Sequence, residues 1–351
     1  MRDASPKAKF FRSFVFASLL VFACGGPAPA ESGDAAKSGN WREEYRRPPS
    51  IPYPSSNPFT PEKAELGRAL FFDTRLSASM TMSCASCHKP DHGWSDGFVH
   101  ARGDGAVSML FHSPSLLDIA WLDRLGWDGK FRDIEAVTFA PIVSPAGMSM
   151  TEEKLLARLS ADRFYVEMFA RAFPGKAIDR RTIELAMATF ERSIASKTAP
   201  FDRWIEGDES AMPEAAKRGF ALFSGKAKCT ECHSGWAFTD GSFHDIGVAK
   251  EDEPGRGRFF PTSLKLQHAF KTPTLRNDAD RGPYMHDGSI ATLEEVIELY
   301  NKGGVDRPSR AEVIKPLGLN AIEKADLLAF LRALSDDQIS GTSRPDDDLI
   351  R

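Results

Sequence analysis

The sequence has few cysteines, no surplus of positive charge and no apolar run long enough to cross a membrane. Five of its 351 residues are cysteine, and 45 Lys and Arg stand against 49 Asp and Glu. A net charge of −4 provides no general basic field, so we predict no nucleic-acid partner. Hydrophobic content of 42% and charged content of 27% exclude a bundle of membrane-spanning helices and a disordered chain.

The N-terminus has the pattern of an export signal. Four basic residues precede an apolar run at residues 14–23, which is too short for a membrane-spanning helix. We therefore predict a signal peptide over residues 1–23 and a periplasmic protein. Three ways of processing this segment remain open: cleavage before Cys24 with a lipid on its thiol, cleavage after residues 28–30, and no cleavage, which would leave a membrane anchor. A lipid at Cys24 is the one membrane contact that we predict for the mature chain.

The length predicts about two domains, at roughly 150 residues per domain. Residues 24–56 are rich in Pro, Ser, Gly and Ala and show little periodicity, which predicts a flexible tether. We place the first domain at residues 57–200 and the second at 201–340. An acidic tail follows at residues 341–351.

Four of the five cysteines form two motifs of identical spacing, each followed directly by a histidine. The motifs are Cys84, Cys87 and His88, and Cys229, Cys232 and His233. This pattern is typical of covalent c-type haem, in which the two thiols bind the vinyl groups and the imidazole binds the iron. A zinc site, a redox Cys-x-x-Cys pair and two small disulfides are the alternatives. Zinc ribbons usually have a short gap between their pairs, whereas 141 residues separate Cys87 from Cys229 here.

The periodicity outside the motifs is mostly helical. We predict helices over residues 62–72, from Thr151, after Asp179, over 213–223 and from Asn320 to Leu334. Residues 201–207 form a predicted bridge, and residues 234–289 are predicted to be mostly loop with room for a small hairpin. The fold class is therefore mainly α, with two cytochrome-c-like domains that each carry one haem.

A capping box at Thr292 and Glu295 predicts a helix that ends at Gly303 and Gly304. Tyr300 shares the apolar face of this helix with Leu293, Val296 and Ile297, so it points inward. Periodicity alone leaves two readings open, a core tyrosine or an axial ligand of the second haem. Met285 is the other candidate for that ligand.

The chain resembles the bacterial dihaem cytochrome c peroxidase and MauG superfamily from about residue 57 to residue 334. The resemblance rests on five segments: residues 66–71 (LGRALF), 113–116 (SPSL), 127–129 (WDG), 271–277 (KTPTLRN) and 283–288 (PYMHDG). In ordinary members of this family a methionine fourteen residues after the position of His286 binds the second iron. Tyr300 stands at that position, which is the mark of the MauG-type branch.

The resemblance implies a division of roles between the two haems. The N-terminal haem, with His88 as proximal ligand, would react with hydrogen peroxide. The C-terminal haem, with His233 and Tyr300 as ligands, would hold an oxidising equivalent. Trp127 matches the tryptophan that relays charge between the haems, and the alternative is a buried core tryptophan.

The sequence departs from the family pattern at three places. Gly147 stands where the family commonly has a distal glutamate, and His100 or His112 are the candidates to replace it. The family also has a calcium ion near the positions of Arg281 and Pro283, but His112 replaces its asparagine ligand. Because imidazole is a poor ligand for calcium, His112 disfavours the binding of that ion here. Ala227 replaces the surface tryptophan of the MauG enzyme.

We therefore expect a haem-dependent peroxidase that oxidises a periplasmic protein partner over a distance, with tryptophan or tyrosine residues as natural targets. The first alternative is a conventional cytochrome c peroxidase, which would take electrons from a small cytochrome or cupredoxin. The second is a dihaem electron carrier without enzymatic activity, and the missing distal glutamate favours it.

Overall fold

The computed structural model describes residues 41–279 and 281–336. The predicted signal peptide, Cys24 and the acidic tail lie outside the described residues. The described residues belong to one compact unit that is mainly helical, with one two-stranded sheet in this part of the chain. None of the described helices is both long and apolar enough to cross a membrane.

Eleven α-helices and two short strands occur in the described ranges. The helices are α1 (Trp41–Glu44), α2 (Pro61–Phe71), α3 (Ile134–Thr138), α4 (Ala140–Val143), α5 (Glu152–Ser160), α6 (Arg163–Ala172), α7 (Arg180–Arg192), α8 (Pro200–Ile205), α9 (Glu214–Ser224), α10 (Leu293–Lys302) and α11 (Ala321–Arg332). The strands are β1 (Phe243–His244) and β2 (Phe270–Lys271). They pair antiparallel, with Phe243 opposite Lys271.

The predicted helix starts agree with the observed caps. Thr60 caps α2 by accepting a hydrogen bond from the backbone of Lys63, and Asp179 caps α7. The capping box at Thr292 forms both of its bonds, and Gly303 ends α10 in the left-handed conformation. The segment predicted as a bridge, residues 201–207, begins inside α8. Helix α6 has no counterpart among the predictions.

In the N-terminal half, α2 and α7 cross at a glycine. A Cβ atom on Gly67 would lie 2.0 Å from the carbonyl oxygen of Ala186 and 2.9 Å from the Cβ of Phe190. Only glycine therefore permits these two backbones to approach so closely. The crossing fixes the frame that supports the first Cys-x-x-Cys-His motif.

The C-terminal half repeats this arrangement with α9 and α11. A Cβ atom on Gly219 would lie 2.0 Å from the carbonyl oxygen of Asp326 and 2.7 Å from the Cβ of Phe330. Each half also has its own hydrophobic cluster. Cys84 and Cys87 pack against the cluster that contains α2 and α7, and Cys229 packs against the one that contains α9 and α11.

Residues 41–56 are the part of the predicted tether that the structure describes, and they contact the C-terminal half. Trp41 packs on Trp204 and Phe220 with ring centroids 5.3 Å apart in both pairs, and Tyr45 is buried beside Phe201. Arg42 and Arg46 add ion pairs with Glu209 and Glu206. These contacts offset part of the chain entropy that ordering the segment costs.

Candidate functional site

Both Cys-x-x-Cys-His motifs fold into the same short turn. Each begins with one turn of 3₁₀-helix, Cys84–Ser86 in the first motif and Cys229–Glu231 in the second. The backbone N–H of the histidine then donates to the carbonyl of the first cysteine, at 3.0 Å for His88 and 2.8 Å for His233. The equal sequence spacing thus becomes equal local geometry.

The two histidine rings are oriented in the same way. The Nδ1 atom of His88 lies 3.1 Å from the carbonyl oxygen of Trp94, and that of His233 lies 2.8 Å from the carbonyl oxygen of Phe238. A carbonyl can only accept, so Nδ1 donates and Nε2 keeps its lone pair for a metal. Burial lowers the pKa of both imidazoles, which favours the neutral form that binds iron.

The four motif cysteines are all free thiols, so the disulfide alternative fails. Among the described residues, no metal-ligand group combines cysteines from the two motifs. Their separate hydrophobic clusters also disfavour a shared zinc site. Free thiols beside a histidine with an available Nε2 are the donor set that covalent haem requires.

A largely apolar cavity adjoins the second motif. Cys229, Cys232 and His233 line it, and so do both candidates for the second axial ligand, Tyr300 and Met285. The structure therefore brings the predicted ligands of the second haem to one cavity.

Tyr300 differs from an ordinary core tyrosine in its hydroxyl group. Within the described part of the chain, this hydroxyl has no hydrogen-bond partner, although burial raises the pKa of the phenol. Tyr300 is half-buried and lines the cavity, so its hydroxyl is open to whatever fills that cavity. By contrast, the hydroxyl of Tyr284, in the same cavity, donates to the carbonyls of Asp278 and Ala279. An oxygen without a partner fits a role as iron ligand.

Arg281 contributes an unpaired donor at the same cavity. Its guanidinium bonds Asp278, but its buried Nη1 atom has no partner among the described residues. A buried cationic N–H of this kind fits the carboxylate of a haem propionate. The family resemblance implies calcium near Arg281 and Pro283, His112 disfavours that ion, and this expectation stays untested.

Trp127 forms hydrogen bonds through both its side chain and its backbone. Its indole Nε1 donates to the carbonyl of His112 at 2.8 Å, and its own carbonyl accepts from the backbone N–H of Lys271 at 2.8 Å. Trp127 and His112 also line the cavity of the second motif. Trp127 is therefore held between the segment that follows the first motif and the segment that follows the second.

The two candidate distal histidines differ in what their rings contact. His112 is buried, with Nδ1 2.7 Å from the carbonyl oxygen of Phe98 and Nε2 3.3 Å from the hydroxyl of Ser95. Nδ1 donates to Phe98, and the hydroxyl of Ser95 donates its one proton to the carbonyl of Ser113 at 2.7 Å, so the lone pair on Nε2 receives no hydrogen bond from Ser95. The Nδ1 atom of His100 is buried and has no partner in the described ranges.

The backbone explains why position 147 has no side chain. A Cβ atom on Gly147 would lie 2.2 Å from the carbonyl oxygen of Pro141. The carbonyl of Gly147 accepts a 2.6 Å hydrogen bond from the backbone of Asp104, which holds the loop of His100 against this turn. A glutamate could enter here only if the turn moved.

Two buried ionisable side chains, Arg276 and Glu191, have no signal in the local sequence. Arg276 is fully buried, bonds the carbonyl of Trp236 at 2.8 Å and pairs with Asp202 at 2.8 Å. It lies in the KTPTLRN segment, but no local pattern points to a partner 74 residues away. Glu191 is buried on α7, and burial raises its pKa to about 8.

Comparison with known proteins agrees with this geometry. The family model of the di-haem cytochrome c peroxidases matches residues 61–210. A methylamine utilization protein MauG from Methylorubrum extorquens is 47% identical over 321 residues, which cover 90% of this chain and 91% of that protein. The chain belongs to the dihaem cytochrome c peroxidase and MauG superfamily, in its MauG-type branch.

Other members of the superfamily are also similar. The cytochrome c551 peroxidase of Nitrosomonas europaea is 32% identical over 294 residues, 83% of this chain and 85% of that protein. The crystal structure of a MauG-like protein associated with microbial copper homeostasis superposes with a TM-score of 0.78 at 31% identity. The superposition covers 85% of this chain and 96% of the other. The protein is therefore a haem peroxidase, an oxidoreductase of this superfamily.

Proposed function

We propose that this member of the MauG branch is a periplasmic enzyme with two covalent c-type haems that uses hydrogen peroxide to oxidise a protein partner. The observation that carries the proposal is the hydroxyl of Tyr300, which lies at the cavity of His233 and has no hydrogen-bond partner among the described residues. Four free thiols, each pair followed by an oriented imidazole, support covalent attachment.

His88 and His233 would hold the two irons through Nε2, and Tyr300 would be the second ligand at the C-terminal site. When bound, the haems transfer two electrons from the partner to hydrogen peroxide, which takes up two protons and becomes two molecules of water. A tyrosine oxygen favours oxidised iron, whereas the thioether of methionine favours reduced iron. Tyr300 thus supports withdrawal of electrons from a partner over acceptance from a routine donor.

Trp127 would carry charge between the two sites. Its indole bonds the backbone of His112 and its carbonyl bonds Lys271, so one rigid residue joins segments from both halves. Oxidation over a distance needs such a fixed aromatic group, because a mobile side chain would not keep a constant separation from both sites.

Position 147 is a glycine where the family commonly has a distal glutamate, so proton transfer must use another group. His100 and His112 are both candidates: the buried Nδ1 of His100 has no partner among the described residues, and the Nε2 lone pair of His112 receives no hydrogen bond from Ser95. A general acid or base needs an available lone pair or proton near the reacting atoms.

A tryptophan or tyrosine of the partner is the proposed target. Ala227 is buried at the cavity and offers no aromatic ring, so the oxidising equivalent would leave by another route than in the MauG enzyme. Calcium between the halves is not part of the proposal.

A conventional cytochrome c peroxidase, with electrons from a small cytochrome or cupredoxin, is the second candidate. The similarity to the Nitrosomonas enzyme favours it, and Tyr300 disfavours it. A dihaem electron carrier is the third, since Gly147 supplies no carboxyl group.

Electron paramagnetic resonance of the ferric holoprotein separates these candidates. We expect one high-spin haem and one low-spin haem with histidine and tyrosine ligands, and a fast change of the ferric spectrum when hydrogen peroxide is mixed in. Two low-spin haems that do not react with peroxide would favour the dihaem electron carrier. A histidine–methionine signal for the second haem would favour the conventional peroxidase.

A further inference from the structure

Residues 254–271 differ in charge from the rest of this acidic chain. They contain no Asp or Glu and four basic residues, Arg256, Arg258, Lys265 and Lys271. The positive charge of this segment lies on the exposed Arg258 and Lys265 and the half-exposed Arg256, because Lys271 is buried. Three acidic residues, at positions 251–253, come directly before it.

Residues 254–269 fold into a compact loop whose ends meet, here called the Ω-loop. The backbone N–H of Arg256 donates to the carbonyl of Ala269 at 2.7 Å, and that of His268 donates to Pro254 at 3.0 Å. Inside the loop, the amide of Gln267 donates to the carbonyl of Pro261 at 3.2 Å. Loops that are closed and packed in this way are frequently functional.

Three large apolar side chains of the Ω-loop are exposed. The exposed fractions are 43% for Phe259, 44% for Phe260 and 59% for Leu264. The basic side chains of Arg258 and Lys265 are exposed beside them. Among the described residues Lys265 forms no ion pair, whereas Arg258 pairs with Asp128. Clustered apolar groups with a charged rim are typical of a protein-binding surface.

The Ω-loop is fixed to the residues that follow Trp127. Arg256 donates to the carbonyl of Gly129 at 2.7 Å, and Arg258 bonds the carboxylate of Asp128 at 2.9 Å. His268, at the end of the loop, lines the cavity of the second motif. A protein bound to the Ω-loop would thus lie beside the residue that joins the two sites.

We propose that the Ω-loop is the docking surface for an acidic protein partner, which contacts Phe259, Phe260 and Leu264 and is oriented by Arg258 and Lys265. This inference rests on the proposed function, in which a protein loses electrons to the enzyme. It also supplies a route that does not need the tryptophan replaced by Ala227. Charge complementarity would chiefly raise the association rate, and the apolar contacts would slow dissociation.

The test uses the holoprotein, hydrogen peroxide and two electron donors of opposite net charge, an acidic and a basic protein that each expose a tryptophan. Quenched-flow mass spectrometry measures the second-order rate constant of oxidation of the donor tryptophan at low and high salt. The test variant is Phe259→Ser/Phe260→Ser/Lys265→Glu. The matched control is Phe164→Ser/Lys154→Glu, which changes an exposed phenylalanine on α6 and an exposed lysine on α5.

We expect the acidic donor to react faster than the basic donor and to slow with salt. The Ω-loop variant should lower its rate about tenfold, while the control variant and the direct reaction with peroxide stay unchanged. Equal rates for the Ω-loop variant and the wild type would overturn the docking proposal and leave the proposed function intact. A wild type that reacts with peroxide but oxidises neither donor would instead contradict the proposed function.

Two further measurements test other occupants of the same surface. Sedimentation with phosphatidylglycerol vesicles that is lost in the Ω-loop variant would replace the protein partner by a lipid surface. A concentration-dependent dimer of the wild type that the variant does not form would replace it by a second copy of this chain. We expect neither result.

Discussion

Arg192 pairs with Glu135 and leaves its neighbour Glu191 without a partner. Two buried hydrogen bonds, of 2.7 and 2.8 Å, join the guanidinium of Arg192 to both oxygens of Glu135. The carboxyl of Glu191 is also buried, and in the described ranges it forms no hydrogen bond. The one nearby cation is therefore already engaged, and the proton stays on Glu191.

This arrangement predicts a pH-dependent stability. Burial raises the pKa of Glu191 to about 8, so between about pH 4.5 and pH 8 the folded protein holds a proton that the unfolded chain releases. Stability then falls as the pH rises through this window. Glu191→Gln should be more stable than the wild type by about 1–3 kcal/mol at pH 8 and equal to it at pH 4.

Urea unfolding of the holoprotein at both pH values measures this difference. The control is Glu184→Gln on the same helix, whose carboxylate has a partner in Arg180 at 2.7 Å. A gain for Glu191→Gln that does not depend on pH would contradict the assignment of a raised pKa.

The second axial ligand can be tested by removing a single oxygen atom. Tyr300→Phe should abolish the low-spin histidine–tyrosine signal, and Tyr300→Met should raise the reduction potential of that haem, because a thioether favours reduced iron. Electron paramagnetic resonance and a spectroscopic redox titration measure both effects. Tyr284→Phe is the control, since its hydroxyl bonds backbone carbonyls. An unchanged spectrum for Tyr300→Phe would make Tyr300 a core residue.

Trp127→Phe tests the connection between the two sites. The variant should react with hydrogen peroxide but transfer charge to the C-terminal haem at least about tenfold more slowly, which rapid-freeze resonance spectroscopy can follow. It also loses one hydrogen bond, at a stability cost of about 1 kcal/mol. Trp204→Phe likewise loses an indole hydrogen bond, to Glu209, and controls for that cost. Equal transfer rates in both variants would exclude a relay role for Trp127.

The helix crossings predict a strong effect of one methyl group. Gly67→Ala places a Cβ atom 2.0 Å from a backbone carbonyl oxygen, so the helices must separate, at an expected cost of about 2–4 kcal/mol. Gly175→Ala meets no atom within 4 Å and has only the cost of its left-handed backbone, about 1 kcal/mol. Thermal unfolding of both holoprotein variants compares them, and similar melting temperatures would contradict the crossing.

Local patterns predicted the parts of the fold that local interactions determine. Thr292 and Gly303 bound α10 as expected, because a capping box and a left-handed glycine are properties of a few adjacent residues. The pairing of Arg276 with Asp202 and the burial of Tyr45 depend on residues far apart in the chain. No periodicity contains that information.

The same division between local patterns and long-range contacts applies to the site. The motif spacing singled out the cysteines and histidines of both motifs, and helix periodicity predicted that Tyr300 faces inward. The hydrogen bonds around His112 and the tight turn at Gly147 required the tertiary structure. The Ω-loop also required the tertiary structure, because residues 254–269 form one surface only when the two ends of the loop come together.

Gly67 and Gly219 occupy equivalent places in two helix pairs of the same design. Each lies on the helix that precedes a Cys-x-x-Cys-His turn and a long irregular segment, which is the arrangement expected after duplication of an ancestral single-haem unit. Since the two helix pairs are alike, the chemical difference between the halves resides in the segments that connect to them. A new activity in this architecture can therefore arise by exchange of loops, while the two glycines keep the helix crossings intact.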